Sequence, residues 1–407
     1  MHILLIHQAF AALDEAGGTR HAELANYLAD RGHQVTIISS PVSYLTGQSR
    51  QEKPKWIEKQ AVRPGIVMLR TYTYAAIHRS FIHRVLAFLS FMVSSFWAGM
   101  GIKDVDLVWG TSPPIFQGIT AWLLARLKRA PFLFEIRDLW PAFAIAVGVL
   151  RSRLLIGASL WLEKFLYRHA DRVMVNSPGY VQHVKAKGAR SVTLVPNGAD
   201  PDMFTPDGDG LALREQHELC NQFVVLYAGA YGISNDLNVV LESAVILRNE
   251  PHIKIVMVGD GKEKKNLQAR AADLKLDNLL LLPAVPKTAM AETLAAADAC
   301  IAILKPLELY KTTYPNKVFD YMAAGRPILL VIDGVIREVV ERAGAGVFVR
   351  PGDPAELAQA IMTLSKDPAR AKVMGQNGRL YIEKYFNRAQ IAEKFTQLVE
   401  EMRRENG

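Results

Sequence analysis

Two charged side chains near the start of a short predicted helix could bind an anion and the hydroxyl groups beside it. Pro315 suits a first helical turn and Gly325 a helix end, so a short helix leads into the apolar strand 328–332. Lys317 lies near the positive end of the helix dipole, where a cation is unfavourable unless an anion is present. Asp320 shares its face. A phosphate beside Lys317 with sugar hydroxyls at Asp320 would explain both side chains; the alternative is a solvated ion pair.

Two further loops carry residues suited to anion binding or catalysis. Gly17 and Gly18 follow the first apolar strand and lead into a helix, where backbone N–H groups could approach a pyrophosphate. The alternative for this pair is a flexible turn. Glu135, Arg137 and Asp138 stand at the carboxyl end of a later strand, where open α/β sheets bind ligands. Glu135 and Asp138 are therefore catalytic candidates and Arg137 an anion-binding candidate; the alternative is an Arg137–Asp138 salt bridge that shapes the loop.

The elements that position these residues alternate between strands and helices in two successive series. The second series restarts with a strand that ends at Gly229 and continues with five more apolar runs, at 253–258, 279–282, 299–304, 328–332 and 346–349. The pattern predicts an α/β protein with two doubly wound, parallel-sheet (Rossmann-like) domains facing a cleft. The predicted domains are 1–198 and 199–379, followed by a terminal helical segment, 380–407.

Composition fits a folded, two-domain chain. Its 407 residues are 50% hydrophobic and 22% charged. The two cysteines provide neither a disulfide framework nor a metal cluster and suit a reducing compartment. The apolar run 3–6 is too short for the core of a signal peptide. We therefore expect a cytoplasmic protein.

The charge is unevenly distributed. Residues 1–200 contain 23 Lys and Arg against 13 Asp and Glu, a net +10, whereas the remainder carries −2. Part of this excess falls within 53–102, which could contact an anionic membrane surface on the inner face of the plasma membrane. No aromatic–basic motif accompanies it, so nucleic acid is not expected as a partner. The uncharged segment 85–102 is expected to be a buried helix; a helix in the membrane interface and a membrane span are the alternatives.

Several motifs together resemble one family. They are Gly17–Gly18 with RGHQV at 31–35, VPNG at 195–198, VGDG at 258–261, FDYMAAG at 319–325 with Pro327, and GAGV at 344–347 before PGDP at 351–354. In this combination the chain resembles the family 4 retaining glycosyltransferases of the GT-B fold over nearly its whole length. The segment RDLWP at 137–141 further resembles the branch that builds bacterial surface polysaccharides, including the amino-sugar transferases of O-antigen and capsule synthesis.

The resemblance implies a nucleotide-sugar donor, UDP-linked, with its nucleotide on the C-terminal domain. Asp320 would bind the ribose, and Lys317 with the loop of Gly17 and Gly18 would approach the diphosphate. The remaining implied donor-binding residues are Arg137, Gly229, Leu282, Pro283 and Asn316, with the base at the 282–283 backbone. The N-terminal domain would bind a lipid-linked or saccharide acceptor, and the final helix would cross back to it. No cofactor is expected, and no metal, because the chain supplies cations and lacks a clustered carboxylate pair.

The chain also departs from the family pattern. Thr312 replaces the first acidic residue of the usual pair, so another group such as Glu308 would have to supply that contact. The loop after Gly229 lacks the usual Arg and Lys, which gives Lys317 and Arg137 more of the phosphate charge. The usual first-domain histidine is replaced by the Glu135–Asp138 loop. Two alternatives to a transferase therefore stay open: a catalytically silent partner subunit and a nucleotide-sugar epimerase of the same fold.

Overall fold

The computed structural model describes residues 1–76, 79–204, 208 and 210–406. The strands are β1 (His2–Ile6), β2 (Gln34–Ser39), β3 (Ile57–Arg63), β4 (Ile66–Thr71), β5 (Leu107–Ser112), β6 (Phe132–Ile136), β7 (Arg172–Val175), β8 (Val192–Leu194), β9 (Phe223–Ala228), β10 (Ile253–Val258), β11 (Leu279–Leu282), β12 (Ala299–Ile303), β13 (Ile328–Val331) and β14 (Gly346–Phe348). The helices are α1 (Arg20–Asp30), α2 (Phe81–Met100), α3 (Phe116–Lys128), α4 (Ala142–Ala146), α5 (Arg153–His169), α6 (Val181–Ala186), α7 (Leu211–Gln216), α8 (Leu237–Ile246), α9 (Lys264–Asp273), α10 (Met290–Ala295), α11 (Asn316–Ala323), α12 (Val335–Ala343), α13 (Pro354–Ser365), α14 (Pro368–Tyr385) and α15 (Arg388–Asn406).

The chain divides into two compact units. The first contains Met1–Ala11, Gly18–Pro196 and the chain from Ala389 onward; the second contains Ala12–Gly17 and Asn197–Arg388. Helix α14 lies in the second unit, so a boundary at residue 380 would cut through a helix. The reason is that α14 packs on α11, α12 and α13 of the second unit, and only α15 belongs with the first.

The first unit is built on an eight-stranded sheet in the order β3-β4-β2-β1-β5-β6-β7-β8. All neighbouring strands are parallel except β3 and β4. From β1 the chain adds β2, β3 and β4 on one side of the sheet. It then crosses back to form β5 next to β1 and adds β6, β7 and β8 on the other side. The carboxyl ends of β1 and β5 therefore form a topological switch point, where α/β sheets open a ligand crevice.

The β3–β4 hairpin at the sheet edge was not predicted, and it changes the meaning of the basic cluster. Strand β3 is exposed along almost its whole length, so it has no apolar alternation to reveal it. Lys55 pairs with Glu58 at 2.7 Å, and Arg63 pairs with Asp30. Two of the seven Lys and Arg residues in the predicted patch 53–102 are thus paired with carboxylates within the fold; Ile77 and His78 lie outside the described residues.

The second unit carries a six-stranded parallel sheet in the order β11-β10-β9-β12-β13-β14. Its six strands confirm the six apolar runs predicted for this half. A separate hydrophobic cluster lies on each face of the sheet, with Phe319 in one and Tyr227 in the other. Burial on both faces explains why these strands are continuously apolar. The switch point of this sheet lies between β9 and β12.

The uncharged segment predicted as a buried helix forms most of α2, but it is not a buried core helix. Within the part of the chain that the structure describes, Ile82–Met100 is the one helical stretch long and apolar enough to cross a membrane by length and composition. Only 33% of that stretch is buried. Residues such as Ala87, Phe91 and Ala98 pack inward, while the opposite side of the helix faces solvent.

Candidate functional site

The strongest candidate for an anion site is the ammonium group of Lys317 in the second unit. A Cβ added to Gly229 would lie only 2.7 Å from the Nζ of Lys317. The same Nζ is 4.0 Å from the centroid of the Tyr227 ring. Gly229 directly follows β9, so the amine is at the switch point of this sheet. Among the described residues the buried Nζ has no hydrogen-bond partner.

Burial controls the protonation of this amine. Loss of hydration on burial lowers the pKa of Lys317 to about 7, and no carboxylate of the described residues opposes that shift. The Tyr227 ring offers a cation–π contact, but a ring face cannot accept the three N–H bonds of an ammonium group. The arrangement leaves a buried donor that an incoming anion would satisfy.

Helix α11, which carries Lys317, is fixed to the carboxyl end of β9. The hydroxyl of Tyr321 accepts the N–H of Ala228 at 2.9 Å and donates to the carbonyl of Ala228 at 3.0 Å. Tyr321 is one helical turn beyond Lys317, so this double contact sets the distance between the amine and Gly229. Gly229 itself has a φ of +154°, which favours glycine.

We expect Gly229→Ala to lower the free energy of unfolding by about 1–3 kcal/mol, because it imposes a strained backbone and pushes the Lys317 amine away. The affinity for UDP, the ligand that the family resemblance implies, should fall with it, which calorimetry can measure. Gly157→Ala, in α5 of the first unit, is the control for UDP affinity, since a Cβ there meets no described atom within 4 Å. Unchanged UDP affinity in Gly229→Ala would contradict the placement of the anion beside this glycine.

Asp320, the predicted ribose ligand, is held by a lysine that the sequence analysis did not identify. Its Oδ1 lies 2.6 Å from Nζ of Lys287, and both side chains are largely buried. Its Oδ2 accepts a longer bond, 3.4 Å, from the Asn316 side chain. Asn316 also accepts from Arg388 at 3.4 Å, so it is engaged within the fold. Lys287 lies in the segment after β11, at the carboxyl end of a parallel strand. That position could have identified it from the sequence as a candidate ligand-binding residue.

The positions that depart from the family pattern do not place a carboxylate beside Lys317. The Thr312 hydroxyl donates to the carbonyl of Leu309 at 2.6 Å, within its own turn. Glu308, the suggested substitute, is almost fully exposed and pairs with Lys311 at 2.8 Å. The prediction that Glu308 replaces the missing acidic ligand therefore receives no support from its position.

Hydrogen bonds within the fold hold the loop after Gly229 and the end of β11. Tyr231 is buried and donates to the carbonyl of Met257, and Asn235 donates to that of Ala230. The Leu282 carbonyl accepts the N–H of Gly259 at 3.1 Å, whereas Pro283 is exposed. A base contact at 282–283 would therefore use the backbone beyond Leu282, and that role stays a prediction.

In the first unit, His7 lies at the switch point between β1 and β5. The Gln117 amide donates to the Thr111 hydroxyl at 2.8 Å, so the hydroxyl proton is directed to Nδ1 of His7, 3.1 Å away. This assigns the other nitrogen, Nε2, as the protonated donor. Nε2 is buried without a partner among the described residues. Burial, with His21 and Arg137 nearby, holds the pKa of His7 well below its ordinary range.

Glu135 was predicted as a catalytic candidate, and its contacts correct that prediction. Its Oε1 accepts from Nε of Arg20 at 2.9 Å, and Oε2 accepts from His21 at 2.8 Å and Trp109 at 3.0 Å. The side chain has no exposed surface. Burial would raise the pKa of Glu135, but His21 and Arg20 outweigh it and hold the pKa far below its usual range. Glu135 therefore positions other side chains rather than contacting a substrate.

Arg137 and Asp138 do lie together after β6. The Arg137 guanidinium donates to the carbonyl of Pro113 at 3.1 Å, and its buried Nε has no partner among the described residues. Burial raises the pKa of Asp138 to about 6, and Arg137 opposes that rise. A carboxylate that titrates near neutrality can exchange a proton, so Asp138 keeps its place as the candidate base.

The first-unit cluster thus combines predicted and unpredicted residues. The prediction that the Glu135–Asp138 loop stands in for a histidine is incomplete, because His7 and His21 lie 4.2 Å apart between ring centroids. His7 directly follows β1, and His21 comes three residues after Gly18, so the positions of both could have identified them from the sequence as candidates. Gly17 belongs to the second unit and Gly18 to the first. Their role at a diphosphate stays a prediction.

Comparison with known families identifies the chain. A glycosyl transferase 4-like domain matches residues 16–198, and a domain of glycosyl transferases group 1 matches residues 212–381. The chain is a glycosyltransferase of the family 4 type. Its two parallel-sheet domains have the GT-B architecture, and its activity is transfer from a nucleotide sugar. The resemblance found in the sequence motifs is confirmed at this level.

The glycosyltransferase has relatives with several activities. It is 27% identical over 318 residues to WcaI of Escherichia coli K12, whose name assigns it to colanic acid biosynthesis, covering 76% of this chain and 77% of the relative. It is 24% identical over 426 residues to a D-inositol 3-phosphate glycosyltransferase of Corynebacterium jeikeium, covering 99% and 97%.

Solved structures share the fold at low sequence identity. Sucrose-phosphate synthase of Thermosynechococcus elongatus superposes with a TM-score of 0.75 at 20% identity, covering 98% of both chains. Anabaena HepE in complex with UDP-glucose superposes with a TM-score of 0.74 at 16% identity, covering 98% of this chain and 100% of that one. At these identities the likeness concerns the fold.

Proposed function

We propose that the chain transfers an N-acetylated amino sugar from a UDP-linked donor to a lipid-linked or saccharide acceptor, with retention of configuration, in the synthesis of a cell-surface polysaccharide. The proposed site of action is the cytoplasmic face of the plasma membrane. The donor binds without a metal ion, because the chain's own cations neutralise the diphosphate.

This proposal is carried by the buried ammonium group of Lys317 at the switch point of the second sheet, which has no hydrogen-bond partner among the residues that the structure describes. A buried cation without a hydrogen-bond acceptor destabilises the folded protein unless a ligand supplies the acceptor. A diphosphate supplies both the charge and the acceptor atoms. The loop after Gly229 contains no Lys or Arg, so Lys317 takes that role in this chain.

The proposed reaction breaks the bond between the anomeric carbon and the diphosphate oxygen and forms a bond to the acceptor oxygen. Lys317 stabilises the charge that develops on the leaving UDP. Asp138 accepts the proton of the acceptor hydroxyl, and its raised pKa of about 6 leaves it ionised at neutral pH yet able to take up a proton. Glu135 holds Arg20 and His21 in place.

Two comparisons support the choice of substrate class. WcaI is named for colanic acid biosynthesis, and HepE was solved with UDP and glucose and with UDP-glucose. The amino-sugar assignment depends on the resemblance of the segment 137–141 to amino-sugar transferases. The identity of the sugar is therefore the part of the proposal that most needs a direct experiment.

We expect UDP and UDP-linked N-acetylhexosamines to raise the melting temperature more than GDP or ADP, because a ligand that binds only the folded state stabilises it. At a concentration of about 100 times the dissociation constant, the stabilisation is about 2.7 kcal/mol. EDTA should leave it unchanged. A larger shift with UDP-glucose than with any UDP-N-acetylhexosamine would contradict the amino-sugar assignment, and preference for GDP would contradict the UDP assignment.

The stereochemical part of the proposal has its own readout. With a donor that gives turnover, the anomeric proton coupling of the product, measured by NMR, should match that of the donor. An inverted coupling would contradict retention while leaving the donor assignment intact.

A further inference from the structure

One side of α2 presents an uninterrupted row of exposed apolar side chains. Ile82 is 69% exposed and Trp97 is 61% exposed. The row advances by three or four residues at each step, which keeps its members on one helix face. Its members are Ile82, Leu86, Leu89, Val93, Trp97 and Met100. A soluble helix normally places polar groups on this side.

Two neighbouring helices continue this apolar surface. Leu123 and Leu127 of α3 are exposed, as are Leu154, at 82%, and Trp161 of α5. Helix α3 packs against both α2 and α5. The rings of Trp122 and Phe165 meet edge to face at 4.9 Å, and Phe165 stacks on Trp161 at 5.4 Å, which joins α3 to α5. We call the exposed apolar side chains of α2, α3 and α5 the three-helix face.

Cations without a carboxylate partner in the described part of the chain lie on or directly after α3 and on or just before α5, next to members of the three-helix face. Within the described residues none of the following pairs with a carboxylate: Arg126, Arg129, Arg151, Arg153, Lys164 and Arg168. By contrast, Arg337, Arg342 and Arg350 on the second unit each pair with a carboxylate.

The same three helices expose no carboxylate in the described part of the chain. Their one acidic residue, Glu163, is fully buried and contacts His183 at 2.7 Å and Lys187 at 3.1 Å. The surface is therefore apolar at its centre and positive at its border, with nothing negative on it.

We propose that the three-helix face docks on an anionic lipid bilayer, with its apolar side chains at the acyl boundary and its bordering cations on headgroup phosphates. Apolar burial and electrostatic attraction add in this geometry. A purely apolar partner would leave the cations without counterions, and a purely polyanionic partner would leave the leucines and tryptophans in water. A bilayer with anionic headgroups satisfies both.

The face overlaps the patch expected at 53–102 only through α2, and α3 and α5 contribute to it from outside that patch. In the hairpin part of the patch, Lys55 pairs with Glu58 and Arg63 with Asp30. The inference does not depend on the proposed glycosyl transfer, since vesicle binding and donor stabilisation are measured separately. Either can fail while the other holds.

The experiment is flotation of the full-length chain with vesicles of phosphatidylcholine alone or of phosphatidylcholine mixed with phosphatidylglycerol. We expect binding to the mixed vesicles, weaker binding in high salt, and little binding to phosphatidylcholine alone. Val93→Glu should reduce the partition coefficient on mixed vesicles by about tenfold or more, because it removes apolar area and adds a repelled charge.

Val373→Glu is the matched control: Val373 is 53% exposed and Val93 is 48% exposed, and both lie on helices, α14 and α2. Its binding should equal that of the wild type. Leu154→Glu tests α5 at a residue too exposed to affect folding and should also weaken binding. Equal binding by Val93→Glu, Leu154→Glu and the wild type would overturn the proposal. So would a stable dimer in sedimentation that dissociates in Val93→Glu, because a second copy would then cover the face.

Discussion

Replacing Lys317 with methionine is expected to reduce kcat/KM for transfer by about 10³-fold, because the variant keeps most of the side-chain volume but loses the charge opposite the leaving diphosphate. The free protein should not be destabilised, since the substitution removes a buried charge that has no partner among the described residues. Steady-state kinetics and a thermal melt test the two parts together.

Lys366→Met provides the control for this variant. Lys366 is exposed at the end of α13, so its loss should leave kcat/KM unchanged. If Lys317→Met kept wild-type activity, the assignment of Lys317 would be wrong and the diphosphate would have another cation. If all activity were absent from the wild type as well, the donor or acceptor offered would be the wrong one.

The second large effect is on stability. Glu135→Gln is expected to lower the free energy of unfolding of the first unit by about 3–5 kcal/mol, because Arg20 loses the buried charge that compensates it. All six tryptophans, Trp56, Trp97, Trp109, Trp122, Trp140 and Trp161, lie in the first unit. Urea unfolding followed by tryptophan fluorescence therefore reports on this unit alone.

Asp30→Asn is the control for charge removal at the surface of the same unit. Asp30 is exposed and pairs with Arg63, so its loss should change the free energy of unfolding by no more than about 0.5 kcal/mol. A Glu135→Gln variant with wild-type stability and no activity would restore the catalytic interpretation that the hydrogen bonds of Glu135 argue against.

The sequence predicted the second unit well because its signals are local. Each buried parallel strand is an apolar run, Gly229 ends the first of them, and Pro315 and Gly325 bracket α11 to within a residue or two. Lys317 was conspicuous for the same reason: a cation in a first helical turn is a local anomaly. The depth of its burial, however, comes from Tyr227 and Gly229, which are far away in the sequence.

Contacts between distant residues account for most of what was missed. Lys287 meets Asp320 across 33 positions, and no local pattern marks that pairing. Glu135 stands in a strand with four apolar residues, FLFEI, and a central parallel strand is buried on both faces. That pattern predicts a buried carboxylate, which must be paired to be tolerated. The sequence thus held a signal for a structural role, while its partners Arg20 and His21 required the fold.

The exposed side of α2 illustrates a different limit. A helix that is apolar on all sides has no periodicity to separate its buried face from its exposed face. Ala87, Phe91 and Ala98 point inward and Leu86, Val93 point outward, although all five are apolar. The distinction between a core helix and a docking helix therefore came only from the burial of individual residues.

The pH dependence of UDP binding follows from the pKa of Lys317. With the pKa at about 7 in the free protein, the amine is protonated below pH 7 and increasingly neutral above it. Because the diphosphate binds the protonated form, the dissociation constant should rise by up to about tenfold per pH unit above pH 7. The bound anion raises the pKa of Lys317, so binding at alkaline pH takes up a proton.

The most direct test of the donor site is therefore calorimetry of UDP binding near pH 8 in two buffers of different ionisation enthalpy. At that pH roughly nine-tenths of the Lys317 amines are neutral in the free protein. The wild type is predicted to take up most of one proton per UDP bound, and Lys317→Met to bind UDP far more weakly with no proton uptake. Equal affinity in the two proteins, with no proton uptake in either, would contradict the account.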